Sequence, residues 1–116
     1  MEPTVALVQG IYFLITGIWP LISMKTFLLV TGHKTDLWLV KTVGVILAVI
    51  GAVLLFAWAT GAINPPIIAL AMGAGLGLAV IEVVYVSKKV ISVIYLGDAV
   101  VEILLAIWWA VALLSV

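Results

Sequence analysis

The chain has 116 residues, 67% hydrophobic and 9% charged, with a formal net charge of zero and a mean hydropathy of +1.48. Soluble domains carry about 25% charged residues, and a chain this short buries only about two-thirds of its surface on folding, so a water-solvated globule is excluded. The neutral balance gives nucleic acid no footing, and the lack of cysteine excludes disulfides, thiolate metal sites and thiol catalysis.

The lipid bilayer is therefore the expected solvent and first partner. A membrane-crossing helix needs roughly 20 mostly apolar residues. Four segments qualify, at about 3–23, 37–60, 65–86 and 91–116. The expected fold is all-α: one transmembrane domain, an antiparallel four-helix bundle with an interfacial segment between the first two spans. MEPTVALVQG carries an acid where a secretory signal has basic residues, and no small-residue cleavage site follows. The first span is accordingly expected to be a retained helix. Pro3 suits a first turn, where the missing N–H matters little, while Trp19-Pro20 should kink this helix or end it early.

The stretch 25–42, KTFLLVTGHKTDLWLVKT, is too apolar for an ordinary solvated turn. Phe27, Leu28, Leu29 and Val30 should lie along the headgroup region, with Thr31-Gly32 breaking the segment and Thr35 or Asp36 capping the second span. His33 reads as a solvated loop residue. Trp38 and Lys41 anchor one end of the second span and Trp58 the other. Thr60-Gly61 stops that span, and Asn64-Pro65-Pro66 starts the third with Asn64 as N-cap. Trp108 and Trp109 are assigned to the outer aromatic belt, with packing inside the bundle as the alternative.

All five basic residues, Lys25, Lys34, Lys41, Lys88 and Lys89, lie in or beside the first and third connections. The positive-inside rule places loops 24–36 and 87–90 in the cytoplasm and both termini outside. In the third span, Ala69, Gly73 and Gly77 recur every four residues, as do Ala71, Gly75 and Ala79; the second span repeats the pattern with Gly44, Ala48 and Ala52. Small residues at this spacing let helices approach closely. The Gly73/Gly77 face is a candidate homo-oligomer interface. A nucleotide loop is excluded there, since no strand precedes it.

Three acids fall within spans. An ionisable group at a helix centre costs about 2.5 to 3.5 kcal/mol even on the lenient insertion scale. Glu82 should lie roughly 9 Å from the cytoplasmic boundary, Asp98 roughly 10 Å and Glu102 roughly 16 Å, so the three could converge on one site open to that side. Three such carboxylates would not all ionise together, so at least one holds a proton unless a cation compensates. Lys41 is the available cation, and Tyr12, Thr16, Thr42, Tyr85 and Tyr95 offer hydroxyls.

The alternative has Glu82 pairing with Lys88 or Lys89 and Asp98 capping a helix that starts late. No metal or other cofactor is expected, because di-metal bundles use Glu-x-x-His pairs and this chain has one His. His33 as the one candidate base, in a loop, leaves no nucleophilic triad inside the membrane.

The run from Gly10, GIYFLITGIWPLISMKTFLLVTGHKTDLWLVKTVGVILAVIGAVLL, resembles small four-span bacterial membrane proteins of loose DoxX-like layout, as does the later VYVSKKVISVIYLGDAVVE. The resemblance implies a four-helix membrane fold in a bacterial inner membrane and no settled activity or site residue. Two functions of different class follow from the residues. One is a membrane protein binding a small molecule, proton or cation at Glu82, Asp98 and Glu102, with transport as its extension. The other is a structural or accessory membrane subunit without a ligand site. Enzymatic activity ranks below both.

Overall fold

The computed structural model describes residues 2–32 and 34–114. They form five helices: α1 (Glu2–Ile22), α2 (Met24–Thr31), α3 (Leu37–Thr60), α4 (Pro65–Ser87) and α5 (Tyr95–Leu114). No strand occurs among the described residues. Helices α1, α3, α4 and α5 are long and apolar enough to cross a membrane. His33 and the last two residues of the expected fourth span lie outside the described residues.

Local chemistry accounts for most helix ends. α1 starts at Glu2, with Pro3 in its first turn, and runs two residues past Pro20. Ser23 then separates it from α2, accepting a hydrogen bond from the Thr26 amide. Gly61 ends α3 in the left-handed conformation at φ 67°, where a side chain would be strained. Asn64 caps α4 by accepting from the Ile67 amide at 3.2 Å, ahead of the two prolines. Asp36 stands at the N-cap of α3 without a side-chain capping bond.

Two boundaries depart from the sequence reading. The first connection contains the helix α2, and Gly32 ends it at φ 99°. The fourth long helix begins at Tyr95 rather than near Ile91. Ser92 is the reason: its Oγ accepts from the Ile94 amide at 3.3 Å, and its carbonyl accepts from Tyr95. The bonds Leu96 to Val93 and Gly97 to Ile94 continue this tight i→i+3 winding before α5 is established.

α1 and α3 pack backbone to backbone. A methyl group added at Gly17 would fall 2.5 Å from the Ala48 nitrogen, and one at Gly51 would fall 2.5 Å from the Leu14 nitrogen. Gly10 meets Gly51 and Leu55, while Gly17 meets Gly44 and Ala48. Glycines seven apart on each helix thus face each other in two pairs. α4 and α5 form the other close pair. Val5, Ala6, Leu54, Ala71, Leu105 and Trp109 join all four long helices in one core.

Ala71, Gly75 and Ala79 lie on the buried face of α4, whereas Gly73 and Gly77 are open, with nothing within 4 Å of an added methyl. The exterior is aliphatic and aromatic: Ile46, Val49, Phe56, Val80 and Leu104 are all exposed. An apolar surface of this extent suits lipid rather than water.

Candidate functional site

Polar side chains gather where α1 faces α4 and α5. Helical spacing puts Gln9 and Tyr12 on one face of α1, and Asp98 and Glu102 on one face of α5. On α4, Glu82 continues the buried face of Ala71, Gly75 and Ala79. Glu102 is 1% exposed and Glu82 6%. Asp98 lies in the first turn of α5 and is half-buried. Because α5 starts at Tyr95, Asp98 and Glu102 lie about 4.5 Å and 10 Å along it, nearer its start than the sequence reading placed them.

The Tyr12 hydroxyl donates to Asp98 Oδ1. Asp98 is the nearest acidic neighbour of Glu82, and carboxylates this close in a low-dielectric setting resist ionising together. Glu82 Oε1 is buried without a hydrogen-bond partner, as are both oxygens of Glu102. Glu102 Oε2 lies against Gly75, 3.4 Å from where a Cβ there would stand, and Gln9 Nε2 is 3.8 Å from the same point.

Gln9 organises the deeper half. Its Nε2 donates to the Ala71 carbonyl at 2.9 Å, and its Oε1 accepts from Trp109 Nε1 at 2.6 Å. One amide therefore ties α1 to α4 and α5. Gln9 and Trp109 were missing from the sequence-derived site, although an amide inside an apolar span is a signal of helix–helix hydrogen bonding. Trp109 is completely buried, so the belt assignment is corrected for it. Its indole N–H needs an acceptor, and Gln9 supplies one inside the protein. Trp108 is partly buried against the same core.

The remaining sequence candidates go elsewhere. Lys41 is exposed and leaves the buried oxygens of Glu82 and Glu102 unpartnered. The Tyr85 ring lies under Lys88 at 5.7 Å and the Tyr95 ring under Lys34 at 5.2 Å. Thr16 and Thr42 donate to carbonyls of their own helices, Tyr12 and Trp38. Among the described residues, no three His, Asp or Glu side chains are placed to hold a metal ion.

The arrangement places unpartnered buried carboxyl oxygens at both Glu82 and Glu102. A charge buried without a partner is costly, by several kcal/mol even after relaxation. Such a group is neutralised by a proton or a bound cationic group. No family model matches the chain, and neither a curated protein nor a solved structure matches it.

Proposed function

We infer that this chain is a multi-pass membrane protein that binds a proton or a small cationic molecule at Glu82, Asp98 and Glu102. The observation that carries this reading is Glu102, buried with both carboxyl oxygens unpartnered, together with the buried and unpartnered Oε1 of Glu82. The proposed architecture is an antiparallel four-helix bundle. It is supported by the reversed order of contacts, Gly10 with Gly51 and Gly17 with Gly44. Loops 24–36 and 87–90 are proposed to face the cytoplasm of a bacterial inner membrane, with both termini outside, as the lysine distribution favours. The DoxX-like layout is in keeping with that architecture and adds no residue role.

Four helices are few to enclose a path, so transport would use a second copy, and the open Gly73/Gly77 face is the proposed contact. In proteoliposomes enclosing a pH-sensitive dye, the wild-type chain should change the rate of proton equilibration or of amine uptake. Glu102→Gln should abolish that change while keeping the detergent-solubilised fold. Wild-type and Glu102→Gln proteins that both behave as empty vesicles would remove the transport extension. An infrared carboxyl band unchanged by Glu82→Gln, Asp98→Asn and Glu102→Gln would remove the site itself.

A second reading, a structural or accessory membrane subunit, is favoured by Gln9, whose two hydrogen bonds serve cohesion alone. It requires the acid substitutions to act on stability or on a co-purifying partner, with no effect on proton binding.

A further inference from the structure

The first and third connections meet at one end of the molecule. Between them lies a cavity of about 330 Å³, lined by Thr31, Gly32 and Lys34 on one side and by Lys89, Ile91 and Ser92 on the other. Among the described residues, no acidic side chain lines it. Lys34 is a fixed charge: its ammonium donates to Thr31 Oγ1 at 2.8 Å and to the carbonyls of Thr31 and Gly32 at 3.3 Å. It also lies over the Phe27 and Tyr95 rings, at 5.3 and 5.2 Å. Lysine is otherwise among the most mobile side chains; here its position is determined on every side.

Lys89 supplies the second charge at an unusual backbone. It has φ 60°, the one positive φ among the described non-glycine residues. It follows the last turn of α4, where its own amide bonds the Val86 carbonyl and the Val90 amide bonds Tyr85. Glycine or asparagine is the ordinary choice at such a helix end. A lysine held there is strained, and strain of this kind clusters at functional positions. Val90, which also lines the cavity, is exposed, and so are Leu29, Val30, Val93 and Ile94, the apolar sequence neighbours of the lining residues. On the membrane reading they would dip into acyl chains and bring the cavity to headgroup level.

We propose that this cavity binds an anionic phosphate group whose charge is not cancelled by a headgroup amine, with Lys89 as its direct cationic contact, Ser92 as a hydroxyl donor and the fixed Lys34 ammonium adding positive field from the cavity wall. The exposed apolar rim makes a membrane lipid the favoured source, with a free phosphate as the other. The inference rests on membrane placement of this end and is independent of the carboxylate site.

The test uses the full chain in mixed micelles, with tryptophan fluorescence reporting the melting temperature. Phosphatidylglycerol should raise it and phosphatidylcholine should not. Inorganic phosphate that raises it equally assigns the site to a free anion; phosphate without effect assigns it to lipid. Lys89→Gly suits the positive φ and should fold at least as well as wild type, yet bind phosphatidylglycerol about fivefold more weakly. Lys25→Met, outside the cavity, should leave that affinity unchanged. The proposal is overturned if phosphatidylcholine matches phosphatidylglycerol, if neither phosphatidylglycerol nor phosphate shifts the melt, if Lys89→Gly binds like wild type, or if Lys25→Met weakens binding as much. Flotation with phosphatidylcholine vesicles checks the membrane placement separately.

Discussion

Glu102 packs against Gly75 with room for no more than a methyl group: Oε2 of Glu102 lies 3.4 Å from the point where a Cβ at residue 75 would stand. A methyl group fits at that distance and a larger side chain does not. Gly75→Ala should therefore fold normally, with any change in stability within about 1 kcal/mol. Gly75→Leu should push the carboxyl aside and shift its infrared band. Equal bands in the two variants would show that Gly75 does not position Glu102.

The α1–α3 seam predicts a sharper response. A Cβ at Gly17 or Gly51 would lie 2.5 Å from a backbone nitrogen of the facing helix, which no rotamer change can relieve. Gly17→Ala and Gly51→Ala should each destabilise by about 1 to 3 kcal/mol, measured by detergent denaturation. Gly73→Ala, in open space, should leave the isolated chain unchanged and serves as the control.

Gln9 and Trp109 form one unit. Gln9→Leu leaves the indole N–H buried without an acceptor, and Trp109→Phe leaves the amide oxygen without its donor. Each should cost about 1 to 3 kcal/mol. Gln9→Leu combined with Trp109→Phe should cost less than their sum, because no polar group of the pair then remains stranded. Strict additivity in a double-mutant cycle would mean that the 2.6 Å bond contributes nothing.

Tyr12→Phe removes the one hydroxyl that reaches Asp98. Hydrogen bonds between membrane helices average about 0.6 kcal/mol by double-mutant cycles, so the loss of stability should be modest. The larger expected effect is on Asp98, which loses its hydroxyl donor, read as a change in proton uptake by the detergent-solubilised protein. A Tyr12→Phe variant with wild-type proton uptake would place Tyr12 outside the site.

What was legible in the sequence follows the range of the forces involved. Asn64-Pro65, Thr60-Gly61 and Pro3 act through their own backbone, so α3, the start of α4 and the body of α1 lie within a residue of where the sequence puts them. The start of α5 was missed by four residues because Ile91 to Ile94 hold only one breaker, Ser92, amid aliphatic residues. The acids were visible as charges inside spans, and spacing placed Asp98 and Glu102 on one face.

Trp109 was misplaced because its acceptor lies 100 residues away in the chain, beyond the reach of any local pattern. Lys41 was assigned to the acids as the available cation, and Tyr85 and Tyr95 as nearby hydroxyls. Cation–π contacts with Lys88 and Lys34 claim the two tyrosine rings instead. The glycine pairs at 10 and 17 and at 44 and 51 carried a readable signal, a shared interval of seven, that a search for four-residue stripes passes over.

The bonds of Gln9 also set an order of events at the ribosome. Its acceptor on Ala71 follows 62 residues later, and its donor on Trp109 follows 100 residues later. At about 5 to 20 residues per second, the nascent first helix waits on the order of 5 to 20 seconds with an unsatisfied amide. Until Ala71 is made, about 3 to 12 seconds at that rate, the glycine faces of α3 are what is available to it. Premature release after α3 would therefore leave a helical hairpin that is well packed yet carries an exposed amide, a natural handle for membrane quality control.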